Sequence, residues 1–140
     1  LDTARRAAAD DPSDLDAQVL VADLDLPVRI EPVEIQREET GLARSSRNSY
    51  LSADGKEQAL ALSRTIAAAL AAAPSLSGIQ DALEAARERA EIDWDYALAL
   101  DPATLEPAGP DHRGEVLVVL AGRVEGTRLL DAAVAVATAP

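Results

Sequence analysis

The chain has 140 residues and a formal charge of -12, with 13 Lys and Arg against 25 Asp and Glu. That balance argues against non-specific binding to nucleic acid or anionic lipid, and the lack of cysteine excludes disulfides, thiolate nucleophiles and Cys-based metal sites. No apolar run reaches the ~18–20 residues that span a bilayer, and no signal-peptide pattern opens the chain, which is compatible with a cytoplasmic location. The length fits one domain, or one and a fragment. The chain begins with Leu1 and not Met, so it is expected to be processed or cut from something larger. Phe is absent and only Tyr50, Trp94 and Tyr96 are aromatic, so the core must be built from Leu, Val, Ile and Ala.

In chain order, Leu1 to Ala9 reads as a short Ala- and Arg-rich helix. Asp10-Asp11-Pro12-Ser13 breaks it, with Ser13 an N-cap candidate. Asp14 to Leu24 reads as a second helix, with Leu15, Val19, Ala22 and Leu26 near one face, and Pro27 ends it. Val28 to Glu31 alternates as a half-buried strand does, until Pro32.

Gly41 to Leu51 then gathers small residues, hydroxyls and arginines. Gly41 permits a turn with positive φ. Ser45 and Ser46 offer hydroxyls, and Arg44 and Arg47 offer guanidinium forks suited to phosphate oxygens. In so acidic a chain, this cationic loop invites an anionic ligand. The alternative is a surface loop whose arginines pair with Glu38, Glu39 or Asp54.

Ser52 is the expected N-cap of the longest helix, Ala53 to Ala73. Ala59, Leu62, Ile66, Ala69 and Ala73 line one face. Gly55 weakens its first turn and Pro74 stops it. A further helix runs from Leu76 to Ala90. Ile79, Leu83, Ala86 and Ala90 form its stripe, and Glu84, Arg87, Glu88 and Arg89 face water. From Asp93 the period becomes two. Trp94, Tyr96, Leu98 and Leu100 are expected on one face of a strand, and Asp93, Asp95, Ala97 and Ala99 on the other. Glu115 to Val124 is apolar enough for burial on both faces. Glu125-Gly126 resembles a hairpin turn, with Thr127 to Val136 returning.

The expected architecture is α/β, of α+β type. Two helices pack on one face of a roughly three-stranded, mostly antiparallel sheet. No metal site is expected. His112 has no second histidine to join it, so it reads as an ordinary surface residue. The carboxylate pairs Glu38/Glu39 and Asp93/Asp95 read as facing water, although the strand pair could hold a divalent cation.

Three ordered stretches carry a resemblance. Arg37 to Leu51 resembles the "RExxGLAxSSRNxYL" signature of the pantothenate synthetase (pantoate–β-alanine ligase) family. Asp101-Pro102-Ala103-Thr104-Leu105-Glu106-Pro107 resembles its "DPxTLEP" segment, and Gly126-Thr127-Arg128-Leu129-Leu130-Asp131 its "GxTRLID" ending. Ala22 to Ile30 is similar to "ADLxLPVxI", which in that family closes a Rossmann-like nucleotide-binding domain. The resemblance implies that residues 1–36 are the remnant or replacement of that domain's end. Residues 37–140 would be the C-terminal lid domain.

It implies an ATP-dependent ligation with magnesium, in which pantoate and β-alanine give pantothenate, AMP and pyrophosphate through a pantoyl adenylate. Ser45, Ser46 and Arg47 match the phosphate-binding "SSR", with Arg47 as the catalytic cation. Arg44 is an ATP-site candidate where the family usually has a less charged residue. The family's HxGH signature and pantoate-binding region belong to an N-terminal domain that these residues do not carry. Counted back without gaps from Val21, the "GEKDxQQ" stretch falls on Ala7 to Ser13. Ala9 replaces its lysine, Ser13 replaces a glutamine and Asp10 matches, so no site is carried over there. The isolated chain is therefore expected to be inactive until an N-terminal synthetase domain is supplied. The alternative is a non-catalytic interaction or oligomerisation module that keeps the fold. A homodimer is a candidate assembly in either case.

Overall fold

The structure, a computed structural model, describes residues 21–29 and 34–140. The chain divides into two compact units, 1–36 and 37–140. The expected helix over residues 1–9, the breaker at 10–13, the second helix before Val21 and the run beyond Arg29 to Pro32 lie outside the described residues.

In the first unit, Val21 to Asp23 are helical, and the turn that follows closes the helix. The amides of Asp25 and Leu26 return to the Ala22 and Val21 carbonyls at 3.2 and 3.0 Å, and Asp25 has a φ of 48°. Val28 and Arg29 lie in no strand, contrary to the alternation read from the sequence. The Val28 amide turns back across Pro27 to the Leu26 carbonyl at 2.8 Å, which removes it from any ladder.

In the second unit a 3₁₀ turn at Ser46–Tyr50 precedes helix α1, Ala53–Ala72, and helix α2, Leu76–Arg89. Strands β1, Asp93–Leu100, β2, Gly114–Val124, and β3, Thr127–Ala137, follow. They form an antiparallel sheet of order β1-β2-β3, the α/β arrangement expected. The spacing that marks each element has a visible cause. Ala59, Leu62, Ile66 and Ala69 of α1 are buried, as are Ile79, Leu83 and Ala86 of α2. Against them lie Val116, Val118 and Leu120 of β2, Ala97 and Ala99 of β1, and Leu129 and Ala135 of β3. Ala73, the C-cap of α1, still packs half-buried against the core, whereas Ala90, the C-cap of α2 with left-handed backbone, is exposed and leaves its expected stripe. The small core side chains let helices and sheet approach closely but give little apolar area each.

Two further expectations change. Opposite Trp94 stands Gly122 and opposite Tyr96 stands Ala121, so a bulge occurs between them. An extra residue reverses the parity of a strand. Trp94 therefore packs on the core, while Tyr96, Leu98 and Leu100 take the other face. Arg87 does not simply face water. It lies over the edge of β1, donates to the Ala97 carbonyl at 3.2 Å, and also pairs with Glu84.

The β2–β3 hairpin turns on Glu125 and Gly126, with φ of 52° and 78°. Two positive φ values mark the tight turn that suits the strand twist. The Glu125 carboxylate then reaches the start of α1. It accepts from the Ser52 hydroxyl at 2.6 Å and the Ser52 amide at 2.8 Å. Ser52 in turn caps α1 by accepting from the Gly55 amide at 3.0 Å. A Cβ at position 55 would run into the Glu125 carboxylate, which explains a glycine in the first helical turn better than helix weakening does.

Three measurements check this account. Leu62→Ala, at a side chain 1% exposed, is expected to cost about 2–5 kcal/mol in chemical denaturation. Gly55→Ala is expected to be neutral or destabilising alone. In a Glu125→Ala background it should instead gain up to about 1 kcal/mol, the helix-propensity term. The Ser52 hydroxyl and then the Ser52 amide hold the Glu125 pKa below its ordinary value. A lowered carboxylate pKa adds stability that is complete above the ordinary range and is lost as pH falls through the folded-state value. The stability difference between the wild-type chain and Glu125→Gln should accordingly shrink on acidification below the ordinary glutamate range.

Candidate functional site

The loop from Arg37 to Ser52 is anchored at its buried residues and open between them. Arg37 and Ala43 form a small antiparallel bridge. Inside it the Glu38 amide reaches the Leu42 carbonyl, the Gly41 amide reaches the Glu38 carbonyl, both at 2.9 Å, and Gly41 has the expected positive φ of 95°. Leu42 and Leu51 enter the core at 3% and 7% exposure. Asn48, also buried, donates through Nδ2 to the Ala43 carbonyl at 3.0 Å, and its Oδ1 has no partner among the described residues. The 3₁₀ turn is closed by the Asn48 amide on the Ser45 carbonyl at 3.1 Å and by Ser49 Oγ on the Ser46 carbonyl at 2.8 Å.

Between these anchors Arg44, Ser45, Ser46 and Arg47 are all exposed. Ser45 Oγ accepts from the Arg47 amide at 3.2 Å, which leaves its own proton free to donate. Arg44 Nε touches the Arg37 carbonyl at 3.3 Å and Arg47 Nη1 the Arg128 carbonyl at 3.4 Å, both long contacts. Neither guanidinium meets a carboxylate among the described residues, so the pairing with Glu38, Glu39 or Asp54 does not form. The loop thus presents two cationic forks and two hydroxyls to solvent on a frame tied down from below. Such a surface can accept a phosphate-bearing anion through charge-assisted hydrogen bonds.

The strongest anchor lies outside the stretch first singled out. Arg37 grips Asp131 of β3 with both terminal nitrogens, at 2.7 and 2.8 Å, and donates to the Gly41 carbonyl at 3.0 Å. The Asp131 side chain is 1% exposed, so its charge needs this partner. The hydrogen bond to Asp131 holds the Arg37 pKa above its ordinary value. Sequence reasoning missed this pair, although both residues stand in the quoted motifs.

Other acidic candidates resolve differently. Asp95, the extra residue in the β1 bulge, takes Arg128 at 2.7 Å and Arg123 at 2.8 Å. The hydrogen bond from Arg128 is the main reason its pKa is lowered. It is therefore an ion-paired carboxylate, with each oxygen engaged by an arginine. Among the described residues no three His, Asp or Glu side chains come together to hold a metal. His112 is more enclosed than expected. Its side chain is 15% exposed, with Nε2 at 2.7 Å from the Glu115 carbonyl and Nδ1 at 3.6 Å from Asp101. No helix among the described residues is long and apolar enough to cross a membrane.

The family model described as Pantoate-beta-alanine ligase matches residues 17–134. The pantothenate synthetase of Leifsonia xyli subsp. xyli is 41% identical over 116 residues, covering 80% of this chain and 40% of the relative. That of Mycolicibacterium vanbaalenii is 47% identical over 116 residues, covering 80% and 36%. Among solved structures, pantothenate synthetase of Thermus thermophilus aligns with a TM-score of 0.73 and 34% identity, over 85% of this chain and 44% of that one. The pantoate-β-alanine ligase of Francisella tularensis, solved with βγ-ATP and β-alanine, shares the fold at a TM-score of 0.51 and 19% identity, over 83% and 37%. The chain thus spans well under half the length of these relatives, yet the family match runs through the anchored loop, both helices and most of the sheet. The chain belongs to the pantoate–β-alanine ligase family.

Proposed function

We propose that this chain is the C-terminal, phosphate-contacting part of a pantothenate synthetase. The observation that carries the reading is the exposed Arg44 to Arg47 stretch, whose guanidiniums lack carboxylate partners among the described residues. On this reading residues 1–36 are the remnant or replacement of the end of a nucleotide-binding domain, and residues 37–140 form its lid. The partners are that N-terminal domain, ATP, pantoate and β-alanine, and the location is the cytoplasm. In the reaction a pantoate carboxylate oxygen attacks the α-phosphorus of ATP, and the bond to the β,γ-pyrophosphate breaks. The amine of β-alanine then attacks the acyl carbon, and AMP leaves.

This chain's residues serve the first step. Charge accumulates on the departing pyrophosphate, and a cation aimed there lowers the barrier. Arg47 supplies that cation, the Ser45 and Ser46 hydroxyls donate to phosphate oxygens, and Arg44 adds a second fork. Magnesium is the implied cofactor, and carried on the phosphates of ATP it would neutralise part of their charge. With a single histidine the sequence has no HxGH pair. The isolated chain is accordingly assigned no adenylating activity of its own.

The test is calorimetric titration of magnesium-ATP. The chain alone should bind only at about millimolar strength, since a few charge-assisted hydrogen bonds must offset the entropy of association. Joining it, in trans or by fusion, to the N-terminal portion of a relative should tighten binding. Arg47→Ala should remove most of that gain, whereas Arg113→Ala, in the loop before β2, should not. Equal binding by Arg47→Ala and the unaltered protein would reduce the loop to a surface feature and favour the interaction module.

A further inference from the structure

We infer that Arg37 and Asp131 are the positioning pair of the phosphate loop, and that the β2–β3 hairpin is the rail on which this loop is aimed. The functional meaning of the inference rests on the proposed function, but its geometry does not.

The hairpin meets the loop at residues three apart. Glu125 at the turn takes Ser52, the Arg128 carbonyl takes Arg47, and Asp131 takes Arg37. The loop therefore runs opposite in direction to β3, held at its end, its middle and its start. Arg128 and Asp131 are about 10 Å apart along the strand at the usual rise per residue. The middle contact is long and the end contact is exposed, so neither can fix the loop alone. The start contact is bidentate and half-buried, and its carboxylate is enclosed. A forked pair of this kind fixes direction as well as distance. Arg37 also holds the Gly41 carbonyl, so the same guanidinium sets the turn from which Arg44 to Arg47 project. Both terminal nitrogens of Arg37 are already committed to Asp131 and the Gly41 carbonyl, and the Asp131 side chain is enclosed. The pair acts through Arg47 and the two serines.

The test is amide hydrogen exchange on the whole chain. Asp131→Asn keeps the size of the side chain and removes its charge. It is compared with Leu62→Ala, which lowers global stability from the core and leaves the Arg37–Asp131 pair in place. In Asp131→Asn, exchange across residues 42–51 should quicken at least tenfold relative to the helices α1 and α2. In Leu62→Ala the loop and the helices should quicken together. Should Asp131→Asn fail to fold, Arg37→Lys carries the same comparison, since it keeps the charge and loses the fork. Loop exchange that follows the helices in the variant used would overturn the inference.

Magnesium-ATP titration of the reconstituted protein separates the two readings. Loop-limited exchange with ATP binding unaltered by Arg47→Ala would leave the positioning pair intact and sink the phosphate site. The positioning role falls instead if Arg47→Ala weakens ATP binding while Asp131→Asn, or Arg37→Lys in its place, changes neither binding nor loop exchange. Both hold if Arg47→Ala and the positioning variant each weaken ATP at least fivefold.

Discussion

Asp131 occupies a place in β3 where its neighbours on the same face, Leu129 and Ala133, turn toward the helices. A carboxylate there is removed from water, and the cost of leaving it unpaired exceeds that of most single core defects. The arginine that answers it comes not from the sheet or helices but from the start of the preceding loop. One desolvated charge thereby joins a local stretch of chain to a strand nearly a hundred residues later. The small hairpin at Arg37–Ala43, the burial of Leu42 and the 3₁₀ turn all build outward from that junction.

The rest of the second unit is arranged so that a thin core can support this. Alanine on α1 and α2 permits close approach to the sheet, and valine and leucine on β2 fill the middle. β2, central in the sheet, is the strand buried on both faces, and part of the β1 edge is covered locally. Arg87 covers one carbonyl of β1, and the Ala108 amide covers the Ala99 carbonyl at 3.0 Å. An edge whose hydrogen-bonding groups are occupied is a poor template for another strand.

Much of the fold was legible because its signals are periodic. The change from spacings of three and four to a spacing of two near Asp93 located both helices and all three strands of the second unit to within a residue or so. Parity within β1 was not legible, because a bulge leaves no mark in an alternating sequence such as Trp94-Asp95-Tyr96. The tetrad Arg44 to Arg47 could be read from residue chemistry. Its anchors could not, since they join positions distant in sequence. One signal was available in principle. With Leu129 and Ala133 assigned to the inner face, Asp131 falls on that face too, and an inward carboxylate in an apolar strand demands a cation from elsewhere. Gly55 was open to the same kind of reading. Its value lies in the room it leaves for a side chain of the hairpin, which no helix-propensity argument can supply.

The exposed arginines sit on a chain whose formal charge is -12. Polyanions approaching from afar meet repulsion, and only within about a Debye length, roughly 8 Å at physiological salt, can the local forks dominate. Added salt then acts on encounter and on departure in different ways. It screens the long-range repulsion and speeds arrival, while it weakens the close contacts and speeds release. On the proposed function, such a surface would discriminate against anions that cannot come into direct contact, and would favour compact phosphates that reach the loop over extended acidic chains that would lie along the rest of the molecule.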